Sequence, residues 1–174
     1  EGIGTSVAVI IGADIEPDFR HPLRMPHGAG PGTAHLRRVA PAAPDDAEAA
    51  ARWIAENGAA FGREFTGLIL CGDSAGGTLT CVTTLALRDR PAALPVIMQV
   101  AIYPKADSSR RYPSTDAFAD GYGLERLNMA YFDSAYAADP ASWRHSPAVA
   151  DQSGVPPTLV VIPAILAPVM RSMT

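Results

Sequence analysis

Nowhere in this sequence do about 18 apolar residues follow one another, so no segment has the length and character of a membrane-spanning helix. Basic charge is scarce too. Lys and Arg number 14 against 18 Asp and Glu, for a net charge of −4, and the pairs Arg37-Arg38 and Arg110-Arg111 stand apart from other basic residues. With no cationic stripe to follow phosphates, nucleic acid is not an expected partner. Cysteine is limited to Cys71 and Cys81, which read as small buried apolar residues rather than a disulfide or a metal pair. No metal is expected at these thiols. The opening Glu1-Gly2-Ile3-Gly4 has neither the charged nor the apolar region of a secretory signal, and a cytoplasmic location is expected. It also has no initiator Met, which leaves open a processed or partial chain.

What is present suits one folded domain over residues 1–174. Apolar residues make up 48 % and charged residues 18 %, too apolar a mixture for disorder. The β-branched run Val7-Ala8-Val9-Ile10-Ile11 reads as a buried strand, and the six prolines between positions 17 and 44 read as loop. From Asp45 the pattern is helical, with acidic residues first and Asn57-Gly58 as a stop. A strand is expected at 68–71, a helix from Ala75 to about Arg88, and a strand at 96–102 whose unbroken apolar character suits a parallel sheet covered on both faces. A polar loop, a helix over about 124–138 carrying Leu127, Tyr131 and Phe132, and a strand at 158–162 complete the series. This alternation predicts an α/β fold, a mostly parallel sheet with helices on both faces and its site at the carboxyl ends of the strands.

One motif carries specific chemistry. Gly72-Asp73-Ser74-Ala75-Gly76-Gly77 stands between the apolar run 67–71 and a helical stretch, the setting of a strand-to-helix nucleophile elbow. A serine nucleophile there needs a turn so tight that its neighbours carry almost no side chain, and Gly72 and Gly76 are expected to supply that room. Ser74 is the candidate nucleophile. The backbone N–H of Ala75 is the candidate donor to the oxygen that becomes anionic when a carbonyl is attacked.

These residues resemble the α/β-hydrolase esterases of the hormone-sensitive lipase-like group. Besides the elbow, Arg38-Val39-Ala40-Pro41 followed by Asp45-Asp46-Ala47 and Arg52-Trp53 is similar to the group's R-L-A-P segment. Tyr112-Pro113-Ser114 through Asp120-Gly121-Tyr122, and Ser146-Pro147 through Pro156-Pro157-Thr158-Leu159-Val160, resemble later stretches of it. The likeness runs over about residues 38–168. It implies a serine carboxylesterase acting on short acyl esters through an acyl-serine intermediate, without a cofactor, and a possible homodimer.

Three departures qualify what the resemblance carries. The group's H-G-G-G oxyanion loop has its nearest counterpart in His27-Gly28-Ala29-Gly30, closer to the elbow than in the family. Either the N–H groups of Gly28 and Ala29 complete an oxyanion hole with Ala75, or this is a glycine loop without a catalytic role. Ala167 stands where the triad aspartate is expected, and no histidine follows it; His21, His27, His35 and His145 all come earlier. His145 falls in a loop that carries no catalytic residue in the family. Asp107, Asp116 and Asp120 read as turn and capping residues rather than a substitute acid. The expectation is a truncated α/β-hydrolase-like domain, lacking the C-terminal part of the family fold and impaired in turnover. Its acid and base would come from sequence absent here. An inactive small-molecule-binding protein on the same fold is the alternative, and a structural assembly partner is a third reading.

Overall fold

The computed structural model describes residues 5–10 through their backbone, together with residues 40–62, 64–122 and 125–162. In chain order the elements are strand β1 (Thr5–Ile10), helix α1 (Ala42–Glu56), strand β2 (Phe65–Asp73), helix α2 (Ala75–Asp89), strand β3 (Val96–Ile102), helices α3 (Pro113–Ala117) and α4 (Arg126–Tyr136), and strand β4 (Thr158–Val161). Short 3-10 turns occupy Gly58–Phe61 and Pro147–Val149.

The four strands form one sheet in the order β1-β2-β3-β4, and every pairing is parallel. Leu68 and Leu70 of β2 are fully buried and meet Ala47 and Ala51 of α1 and Leu87 of α2. Ile69 and Cys71, which point the other way, are only half-buried. The expected α/β fold with its parallel sheet is present, and among the described residues the two long helices α1 and α2 pack on one face of that sheet. The strand order explains this. Right-handed crossovers that advance steadily across a parallel sheet place each connecting helix on the same side. The same geometry corrects the reading of Cys71 as a buried residue, whereas Cys81 on α2 is buried; both thiols are free.

Helix α1 begins at Ala42, inside the stretch read from its prolines as loop. Pro44 is buried within the first turn, where a missing N–H costs nothing because those groups lack intrahelical partners. Its far end is clamped to α2. Glu48, 7 % exposed, accepts from Arg52 at 3.0 Å and Arg90 at 2.8 Å, while Arg52 also donates to the carbonyls of Arg90 and Pro91 at 2.6 and 3.2 Å. Asp45 pairs with Arg144, joining the start of α1 to the loop before β4.

The expected loop after β3 contains the short helix α3, opened by Pro113 at its first position. Helix α4 has no buried residue, and Leu127 and Tyr131 are exposed. It is held by its ends instead. The N–H of Ala40 donates to the Tyr136 carbonyl at 2.9 Å, and Lys105 pairs with Asp133 at 2.6 Å. No described helix is long and apolar enough to cross a membrane.

Candidate active site

Ser74 is the single residue between the end of β2 and the start of α2, and it is exposed. Its φ of 53° and ψ of −121° lie where side chains are disfavoured, so the turn is strained in the way an elbow requires. Two sets of bonds impose it. The Ser74 N–H donates to the Ile102 carbonyl at 2.9 Å, continuing the β2–β3 ladder one residue beyond the strand. The Ser74 carbonyl accepts from the Thr78 N–H at 3.2 Å, the first bond of α2.

A tight approach is seen at Gly77, the second of two adjacent glycines in the turn. A β-carbon there would lie 2.9 Å from the Ile102 carbonyl oxygen, 3.1 Å from the Pro104 side chain and 3.2 Å from the Gly72 carbonyl oxygen. The second glycine of the pair is therefore what lets α2 start against the end of β3. Ala75 opens α2, and its N–H belongs to the first turn, where N–H groups have no partner within the helix. That end of the helix also carries the positive end of its dipole, which favours an anion.

The neighbouring strand ends in a second strained residue. Tyr103 has a φ of 35°, and its N–H donates to Val161 at 2.7 Å. Its phenol donates to the Asp73 carboxylate at 3.1 Å, and that bond holds the phenol above its ordinary pKa. Neither Tyr103 nor Asp73 stood out in the sequence; no pattern marks a tyrosine that reaches across two strand ends. From α2, Thr78 Oγ1 donates to the Lys105 carbonyl at 3.0 Å, fixing the loop that follows Tyr103.

Asp107 in that loop is a turn residue, as expected. It accepts from the Ser109 N–H and Oγ, from Arg110 and from the Tyr112 phenol. Burial alone would raise its pKa, but these donors outweigh burial and hold it at about 2. Asp116 pairs with Arg111 and Arg126, and Asp120 is exposed. The His145 ring packs on Tyr136 with centroids 5.5 Å apart; burial first, then the charge of Lys105, push it below its ordinary pKa. Gly28, Ala29, His21, His27, His35 and Ala167 lie outside the described residues. Among the described residues, no group of three or more His, Cys, Asp and Glu could hold a metal ion. An open cavity of about 550 Å³ lies at the amino ends of β2 and β3, lined by residues including Ala55, Phe65 and Leu94. It is at the opposite end of the sheet from Ser74.

Known proteins are similar to this chain in sequence and fold. The chain is 38 % identical over 101 residues to an ethyl acetate hydrolase of Pseudomonas putida, an alignment covering 58 % of this chain and 32 % of that protein. It is 34 % identical over 145 residues to an acetyl-hydrolase of Streptomyces hygroscopicus, covering 78 % of this chain and 46 % of the relative. Among solved structures, a hyperthermophilic esterase from the archaeon Pyrobaculum calidifontis superposes with a TM-score of 0.67 at 36 % identity, over 72 % of this chain and 42 % of the esterase. An ester hydrolase from the metagenome of Lake Arreo, complexed with a bipyridine phosphonate derivative, gives 0.64 at 41 % identity, over 69 % of this chain and 39 % of that one. The matches thus span from about a third to under half of these proteins. A family model described as the alpha/beta hydrolase fold matches residues 37–165, and with its parallel sheet and strand-to-helix serine turn the chain belongs to that family, resembling its esterases.

Proposed function

We propose that the chain carries the nucleophile of a serine carboxylic-ester hydrolase that acts on short acyl esters, with Ser74 as the residue acylated. The observation that carries this reading is Ser74 itself, an exposed residue on a positive-φ turn at the head of α2. A carbonyl carbon attacked by that hydroxyl develops negative charge on its oxygen, and the Ala75 N–H at the helix terminus is the donor this reading assigns to it. Gly28 and Ala29 are proposed as the remaining donors. The names of the relatives, an ethyl acetate hydrolase and an acetyl-hydrolase, support a small acyl group.

A serine hydroxyl at neutral pH is a weak nucleophile unless a base takes its proton. Ser74 Oγ has no hydrogen-bond partner among the described residues, and His145 instead packs against Tyr136. Impaired turnover of the 174-residue chain is therefore part of the proposal. Residual catalysis of roughly 10³ to 10⁴ over water is what an oxyanion site and binding supply without a complete triad. A homodimer and a cytoplasmic location are proposed with it, the latter consistent with two cysteines that are both free.

Incubation with a fluorophosphonate followed by intact mass tests the reading; a similar protein, the Lake Arreo hydrolase, is known in complex with a bipyridine phosphonate derivative. One adduct, formed slowly in keeping with the missing base, is expected on the wild type and none on Ser74→Ala. Tight binding of a small ester analogue with no adduct at Ser74 would replace this reading with that of an inactive binding protein.

A further inference from the structure

We propose that Tyr103 is a positioning residue for the elbow, acting on Ser74 through its hydrogen bond to Asp73. The inference rests on the reading of Ser74 as the reactive hydroxyl, but its structural half can be measured without that reading.

Ser74, Tyr103 and Ala137 are the three described non-glycine residues with positive φ, and the first two stand side by side. Asp73 pairs with Ile102 in the β2–β3 ladder, so Ser74 and Tyr103 are the next residues on adjacent strands. Strained backbone of this kind persists only where its surroundings over-determine it. The bonds to Ile102 and Thr78 hold Ser74 itself, and the bond to Val161 holds Tyr103. Asp73 is different. It is exposed and directly precedes the elbow, and the phenol of Tyr103 is the one side chain described as holding its carboxylate.

The pairing does two things. It ties the last residue of β2 to the bend that ends β3, so that the two strained turns brace each other. It also fixes the orientation of the side chain that immediately precedes Ser74. Because the phenol is held above its ordinary pKa, it stays a donor through neutral pH.

The test compares Tyr103→Phe, Asp73→Ala, Asp73→Asn and the double variant Tyr103→Phe/Asp73→Ala. Readouts are the rate of fluorophosphonate labelling, hydrogen exchange of the Ser74 amide, and the melting temperature. Loss of a charge-assisted hydrogen bond is expected to slow labelling about tenfold in Tyr103→Phe and in Asp73→Ala. The double variant is expected to lose no more than either single one, since both remove the same contact. Asp73→Asn, which keeps an acceptor for the phenol, retains most of the wild-type rate. The Ser74 amide exchanges about tenfold faster wherever the bond is lost, while the amides inside α2 and the melting temperature stay as in the wild type.

Labelling of Tyr103→Phe at the wild-type rate, losses that add in the double variant, or a Ser74 amide indifferent to both substitutions would each overturn the inference. If the wild type takes no phosphonate, the hydrolase reading fails by itself, and exchange at the Ser74 amide still decides whether Tyr103 braces the turn.

Discussion

The carbonyl oxygen of Ile102 leaves no space for a side chain on Gly77, because a β-carbon there would come within 2.9 Å of it. In an exposed helix interior, alanine in place of glycine gains about 1 kcal/mol of helix propensity. Here two of the three nearest atoms are backbone oxygens that cannot move aside without shifting β3 or the elbow. Overpacking of that kind costs roughly 1–3 kcal/mol. Gly77 is in the first turn of α2, where the propensity gain is small, so the clash decides the sign. Gly77→Ala is expected to lower the melting temperature by about 3–6 °C, read by circular dichroism, and to slow labelling of Ser74. A melting point equal to or above that of the wild type would show that α2 can slide away from β3.

Much of this architecture could be read from residue pattern because it depends on local rules. Apolar runs gave β2 and β3, and the glycine-rich turn between strand and helix gave the elbow. The start of α1 is hidden in the pattern because Pro44, a breaker in a helix interior, falls in the first turn, where it is tolerated. Placement of α1 and α2 on one face depends on the strand order, which no single segment encodes. The bond between Tyr103 and Asp73 was likewise illegible, since it joins positions 30 apart in sequence through a backbone bend that no glycine announces.

The clamp between α1 and α2 separates two arginines that contact the same carboxylate. Arg52 is 29 % exposed and also satisfies two carbonyls at the C-terminal end of α2, whereas the Arg90 side chain is 72 % exposed and among the described residues bonds Glu48 alone. Arg52→Met removes a salt bridge and leaves those carbonyls to find other donors, at a cost of about 1–3 kcal/mol. Arg90→Met should cost under about 1 kcal/mol, as exposed ion pairs generally do. Urea unfolding of the two variants checks the ranking; a larger loss at Arg90 would mean that the carboxylate, not the helix end, is what needs arginine.

Acid should expose the contribution of Asp107. Its folded-state pKa of about 2 lies below the ordinary 3.8, so the native state binds the proton more weakly than the unfolded chain does. The resulting stabilisation is complete above about pH 4 to 5 and is lost as pH falls through 3.8 toward 2. With the side chain 6 % exposed, a shift of this size corresponds to something on the order of 2 kcal/mol. Asp107→Asn is expected to be less stable than the wild type by about that amount at pH 7 and nearly equal to it at pH 2, measured by denaturant titration at both. A gap that persists unchanged at pH 2 would place the contribution in packing rather than in the charge.

His145 has the opposite dependence. Burial and Lys105 lower its pKa from 6.5, so the native state resists a proton that the unfolded chain accepts. No penalty exists well above pH 6.5. As pH falls through 6.5 the unfolded state is favoured, and the penalty grows until the folded-state pKa is passed. Replacing the ring with an uncharged side chain removes this dependence but also removes the contact with Tyr136. His145→Gln is therefore expected to be less stable than the wild type at pH 8, with the difference narrowing between pH 7 and pH 5. Because Lys105 pairs with Asp133 and contributes to the same shift, Lys105→Met should flatten the wild-type dependence over that interval while leaving its sign intact. Denaturant titrations at pH 8, 6.5 and 5 distinguish the cases, and a difference that widens toward acid pH would mean that protonated His145 finds a carboxylate, Asp133 or Asp139, and stabilises the fold instead.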